Sequence, residues 1–446
     1  MKKKVVACML SAAMTVGCLS GLGAVNVMAE VDESNVSKEV VEPDESAEKT
    51  FKILSIWAQD TREGAMIYDL TQRYQEEVNP NFQFEFELVS ANDLTTKIST
   101  LIASNDLPDA FAYVSGQPLT ELIEAGKVVD IGAQLEGLGV ADQVEESTAN
   151  LLRDMSGTES FYDLPLGLNV EGFWYNKQIF EENGLEAPST WDELITVCDT
   201  LMEKGIQPLA VGGADKWPIS RLVNAYVIRT MGVDALTKAC NGEISFTDEG
   251  FVKAAQEVAD MAEKGYFGEG CTTVDNNTAG QMVLAGEAAM VYNGSWFQED
   301  IANENNPAGE DGIGYFNIPT VEGGVGVATE VPTNCGNILA LSADKYDAAT
   351  AGWLKYFVQN AGNYGMEEMG SLKGYKYDVD VELSPANQIV VDTIASTTKA
   401  ATWFEAMMNN ETKTAAQDNA QTLVNGEMTA EEYMQSIQDA YDMSSF

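Results

Sequence analysis

The sequence predicts an α/β protein of two lobes, and three observations carry that expectation. Residues 51–114 alternate strand and helix in the order that builds a parallel sheet. The patterned body, from about Phe51 to Phe446, is too long for one typical core. Helix signals continue through the second half with no internal repeat and no sustained heptad.

The elements follow in order. Phe51-Lys52-Ile53-Leu54-Ser55-Ile56-Trp57 reads as a buried strand. Gly64 to Val78 places Met66, Ile67, Leu70 and Tyr74 at helical spacing. Asn79-Pro80-Asn81 is a turn, and Phe82 to Leu88 alternates strictly, as a strand with one covered face does. Asp93 caps a helix through Ala103, and Leu107-Pro108-Asp109 turns into a strand over Ala110–Val114, with Asp109 in a structural role. In such sheets ligands sit beyond the carboxyl ends of the strands, which singles out Gln59, Asp60, Tyr113 and Ser115. Later, Thr190 with Glu193 and Thr429 with Glu432 form capping boxes at helix starts. Gly250–Lys264 and Asp347–Gln359 read as further helices.

The N-terminus carries Lys2, Lys3 and Lys4, then a mostly apolar run from Val5 to Ala29 ending Val27-Met28-Ala29. This is an export signal, with cleavage after Ala29 favoured. The competing route is acylation of Cys18 after Gly17, but Thr15 sits where Leu is preferred and the chain stays apolar beyond Cys18. Glu30 to Thr50 holds eight acids and two lysines with almost no periodic signal, and is expected to be a disordered linker.

Charge and composition exclude several classes. The formal net charge is −45, and loss of residues 1–29 removes three lysines and no acid, leaving −48. Such a chain repels nucleic acid and anionic membrane. It contains no histidine, which removes Ser-His and Cys-His catalysis and the commonest metal ligand, and no cofactor motif is present. After cleavage Cys198, Cys240, Cys271 and Cys335 remain, at spacings that match no zinc site. Cys240 and Cys271 could pair in an exported protein, though four thiols are the preferred reading.

Four stretches, in this order, carry a resemblance. They are Tyr74 to Tyr113; Leu164-Pro165 through Tyr175-Asn176-Lys177 to Trp191-Asp192-Glu193-Leu194; Gln281 to Asn293-Gly294-Ser295-Trp296; and Gly426 to Glu432. Across nearly all of 51–446 the chain resembles the family-1 extracellular solute-binding proteins of ABC importers. That resemblance implies a type II periplasmic-binding-protein-like fold. Each lobe would be a mostly parallel sheet flanked by helices, the two hinged by three crossings, with residues 51–168 and 336–361 in one lobe and 169–333 and 364–446 in the other. It implies a monomer that closes on a solute and docks on a membrane permease.

Sugars present flat C–H faces and hydroxyl-crowded edges, so a site for them needs aromatic platforms and amide or carboxylate partners. Trp296 follows the Asn-Gly-Ser turn, where the family places a stacking aromatic. Tyr113 aligns with another family aromatic, Asn169 with a polar ligand residue at the first crossing, and Trp57 with a cleft position, although strand-end tryptophans also pack in cores. Asp60 is a candidate hydroxyl acceptor, or else an acid favoured by a helix dipole. Trp217, Trp403 and Asn334 are further candidates beside packing roles, while Trp174, Trp191 and Trp353 read as core. The acidic balance and the aromatic supply favour neutral carbohydrate over a peptide, a polyamine or glycerol phosphate. A secreted glycosidase would need two carboxylates flanking one bond, which an acid-rich composition supplies but the order of family segments argues against. A surface adhesin would lack ligand-driven closure.

Overall fold

The computed structural model describes residues 31–444. The export signal and Cys18 lie outside the described residues. The strands are β1 (Lys49–Ser55), β2 (Phe82–Leu88), β3 (Ala110–Val114), β4 (Asn169–Asn176), β5 (Gln207–Ala210), β6 (Ala288–Gly294), β7 (Ile313–Phe316), β8 (Glu330–Asn334), β9 (Asn337–Leu341) and β10 (Lys399–Ala401). They form two sheets, in the orders β2-β1-β3-β9 and β10-β8-β4-β6-β5, with β7 paired to β4. In the first sheet β1 runs parallel to β2 and β3, and only β9 is antiparallel. The second sheet is mixed: β5–β6 and β8–β10 are parallel, while β4 runs against β6, β7 and β8.

Each sheet carries its own core, as the length argument expects. In the first lobe the helix Arg62–Glu77 puts Met66, Ile67, Leu70 and Tyr74 inward, at the spacing read from sequence. Trp353 is fully buried in the helix Ala348–Met369, 4.8 Å from the Phe51 ring, and its indole N–H donates to Thr71 Oγ1 at 3.0 Å. Asp109 is structural, its carboxylate accepting the Lys52 N–H and pairing with Lys49 at 2.8 Å. The second core gathers around Phe173, Trp191 and Tyr226.

The chain crosses between the lobes at three adjacent places. Entering β4, Asn169 and Val170 pair with Asn334 and Thr333 of β8, so the first two crossings share a ladder. Gly336, at φ 68°, turns the chain back into β9. On the approach to the third crossing the Leu372 carbonyl accepts the Leu168 N–H at 3.1 Å. This crossing falls later than residues 361–364, where the sequence placed it. The helix Ala348–Met369 runs on, and Tyr364 and Tyr375 are both buried in the first core.

The expected disordered linker is a second correction, because residues 31–48 are strapped to the first lobe. Val31, Val36 and Ala47 pack on its core. Gln134 accepts the Val41 N–H at 3.0 Å and donates to the Glu39 carbonyl at 2.7 Å, while Asn35 donates to the Glu124 carbonyl at 2.7 Å. Tyr162 donates to Glu33 at 2.8 Å. A few spaced apolar residues and a complementary amide side chain suffice, with no periodicity to betray them. The four cysteines among the described residues are free thiols, so Cys240 and Cys271 do not pair.

Candidate functional site

Between the lobes lies a cleft of about 810 Å³, within the usual range for small-molecule sites. The first lobe contributes Trp57, Thr95, Thr96 and Ser115; the crossings contribute Asn169 and Asn334; the second lobe contributes Trp217, Trp296 and Trp403.

Three candidates fall elsewhere. β1 ends at Ser55, short of Trp57, so Gln59 and Asp60 occupy an exposed turn beyond the rim. Tyr113 lies in β3 as the sequence expects, but both faces of the strand are covered, leaving Tyr113 only 3% exposed and its ring 6.1 Å from that of Phe111. Burial pushes its phenol up to about 12. The first residue past that strand to reach the cleft is Ser115.

The cleft residues are held by local bonds. Ser55 Oγ accepts the Trp57 N–H at 3.0 Å and donates to its carbonyl at 2.8 Å, fixing the strand end. Asn169 Oδ1 accepts from Ser295 Oγ at 3.1 Å, which ties the first crossing to the end of β6. Asn334 lines the cleft but spends its Oδ1 on the Gly336 N–H, so it also shapes the turn.

On the second lobe three indoles form one cluster. Trp296 stands edge-on to Trp217 and to Trp403, with centroids 5.8 and 5.7 Å apart. The Arg221 guanidinium lies over Trp217 at 4.5 Å and over Trp403 at 3.9 Å. Two buried acids fix it: Glu171, and Glu405 at 3.2 Å from Arg221 Nε. Tyr292 donates to Glu171 at 3.3 Å, and Ser220 donates to Glu405. Burial pushes the Glu171 carboxyl up to about 7; Arg221 opposes the shift and Glu405 reinforces it. Trp174, Trp191 and Trp353 are core, as expected.

Sequence reasoning missed Arg221, Glu171 and Glu405. Arg221 carried a faint signal, as a cation one helical turn after Trp217 in an apolar helix. Glu171 is an acid inside an apolar strand. Their partnership joins positions far apart in the chain, which periodicity cannot reveal.

Behind Ser115 lies Asp163, fully buried, with neither carboxylate oxygen in hydrogen-bond geometry. Burial pushes it up to about 7, against the nearby Ser115 hydroxyl. The lobes also touch directly. Arg62 pairs with Asp300 at 2.9 Å, Lys373 with Glu299 at 3.9 Å, and Gln117 N–H meets the Ala406 carbonyl at 3.3 Å. Among the described residues no group of three or more His, Cys, Asp or Glu could hold a metal, and no helix is long and apolar enough to cross a membrane.

A family model described as bacterial extracellular solute-binding protein matches residues 58–364, and the chain belongs to that family. It is 24% identical to a multiple sugar-binding protein of Streptococcus mutans, over 74% of this chain and 77% of that one. It is 27% identical to an ABC transporter extracellular-binding protein of Pyrococcus horikoshii, over 51% of this chain and 52% of that protein. The match thus spans about half the length of that relative. Among solved structures, one from work on xylan utilization by Caldanaerobius polysaccharolyticus superposes with a TM-score of 0.80 at 25% identity, covering 88% of this chain and 99% of that one. A chitin oligosaccharide binding protein superposes with a TM-score of 0.81 at 24% identity, covering 89% and 98%. These structures share the two-lobed fold described above.

Proposed function

We propose that this protein captures a carbohydrate in the interlobe cleft and delivers it to the permease of an ABC importer. The observation that carries the reading is the indole cluster of Trp217, Trp296 and Trp403 on one wall, with Trp57 on the other. Aromatic faces set across a cleft suit the C–H faces of sugar rings. The relatives and neighbours named for multiple sugars, xylan and chitin oligosaccharide support the class.

A neutral sugar suits the charges. Arg62 is paired with Asp300, Lys216 with Asp418, and Arg221 with two glutamates, while burial pushes the Lys413 ammonium down towards its neutral form. The protein acts as a binder and not as an enzyme: the acids beside the indoles, Glu171 and Glu405, both have oxygens committed to Arg221, so neither is poised as a free acid or base. It works as an exported monomer whose mature chain begins at Glu30 without a lipid. Intact mass of protein from the native host checks that, and a diacylglycerol on Cys18 would establish the other route.

A thermal-shift screen across mono- and oligosaccharides, run with a hydrolysis assay, tests the main reading. A sugar at a hundred times its Kd adds roughly 2.7 kcal/mol of stability. Stabilisation without cleavage is expected. No stabilisation by any sugar, or appearance of cleaved product, ends the reading.

A further inference from the structure

We infer that Gly294 is a positioning residue for ligand recognition, the seat on which the Trp296 indole lies. The inference rests on the carbohydrate reading of the cleft and adds to it what sets the pose of its stacking surface.

Gly294 closes β6 and stands directly opposite Glu171 in the β4–β6 ladder. Directly opposed residues of an antiparallel pair direct their side chains to the same face. The Glu171 carboxylate on that face reaches Arg221, at the base of the indole cluster. The missing side chain of Gly294 therefore leaves its gap beneath the cluster, and Trp296 fills it: a Cβ added at Gly294 would fall among the six-membered-ring carbons of Trp296, far inside van der Waals contact.

Backbone conformation does not explain the glycine. Its φ of −85° and ψ of 169° are extended and open to any L-residue. The backbone on either side is also pinned. The Gly294 N–H donates to Asn293 Oδ1 at 2.9 Å, and the Ser295 hydroxyl bonds to Asn169 and accepts the Val170 N–H at the first crossing. With the chain held, an added methyl is accommodated only by lifting the ring.

The other two indoles are set differently. Arg221 lies over Trp217 and over Trp403, so a guanidinium fixes them. Trp296 depends on the bare backbone of Gly294 and the edges of its two neighbours.

The test uses Gly294→Ala, Trp296→Ala and the double variant in the full mature chain. Near-perpendicular indoles in contact couple their transitions, so the cluster gives a circular-dichroism couplet that needs no ligand. Calorimetry with raffinose, stachyose, xylotriose and chitotriose reads binding. Gly294→Ala is expected to lose the couplet as Trp296→Ala does, and to weaken binding of whichever of these sugars the parent takes by roughly tenfold or more, the scale of losing an aromatic anchor. In the Trp296→Ala background Gly294→Ala should cost no further affinity, because the ring it displaces is gone. A couplet retained in Gly294→Ala, or the same affinity loss in both backgrounds, overturns the inference. If the parent binds none of the four sugars, the failure belongs to the carbohydrate reading, and the couplet still decides whether Gly294 seats the ring.

Discussion

Single side chains divide into those that line the cleft and those that hold the frame, and burial alone does not separate them, since Trp403 and Asn334 are buried and still line the cleft. Trp296→Ala should weaken sugar binding by about 1–3 kcal/mol while leaving the fold intact. Trp353→Ala should lower Tm sharply, since a fully buried Trp leaves a cavity costing about 3–5 kcal/mol, with affinity little changed while the variant is folded. Calorimetry and thermal unfolding on the same samples check both, and collapse of stability in Trp296→Ala would place that residue in the core. Tyr113 shows why residue-level reading from sequence stops short. The strand over Ala110–Val114 was legible, but only the packed sheet reveals that both its faces are covered and that Tyr113 is buried. Asp163 offers a titration test. Its carboxyl is held at about 7 when folded, against an ordinary value of 3.8, so the folded state binds the extra proton between those limits. The contribution of Asp163 to stability therefore falls as pH rises through that window and is gone above it. From pH 5 to pH 8 the parent should lose roughly 3 kcal/mol more than Asp163→Asn, at about 1.4 kcal/mol per pH unit up to the folded value. Glu171 is shifted in the same direction, so the difference between the two proteins is what counts. Parallel pH profiles would show that Asp163 is not held neutral.

Elements with a strong local pattern were legible in the sequence. The strict alternation of Phe82 to Leu88 marks β2, and the capping box of Thr190 with Glu193 opens the helix Trp191–Glu203. Both signals arise from neighbours a few residues apart. The mixed second sheet was not legible, because β4 takes β6, β7 and β8 as partners from distant parts of the chain. The segment 31–48 was missed for the same reason, its order coming from Gln134, Glu124 and the first core rather than from itself. Removing residues 30–48 should therefore lower Tm by several degrees, at about 2–4 °C per kcal/mol for domains of 150–250 residues, with sugar affinity unchanged. Differential scanning calorimetry of the shortened chain checks this, and an unchanged Tm would show that the strap adds nothing.

At the scale of the whole molecule, a cleft set between two cores means that, on the proposed function, binding and shape change are a single event. A sugar that touches Trp57 on one lobe and Trp296 on the other makes its full contacts only with the lobes together, and it shifts the equilibrium by that differential affinity. Small-angle scattering should show a smaller radius of gyration at saturating sugar. An unchanged radius, with binding verified by calorimetry, would mean that closure is not the signal passed to a permease. The ladder joining Asn169 to Asn334 and Val170 to Thr333 bears on what such a motion can look like. Two strands hydrogen-bonded side by side behave as a leaf spring, bending readily across their plane but resisting shear and splay. The Leu168–Leu372 hydrogen bond sets a further segment of chain beside that ladder. The expected motion is a rotation about one soft axis, which a single pair of fluorophores, one on each lobe, would follow as a monotonic change in transfer efficiency with added sugar.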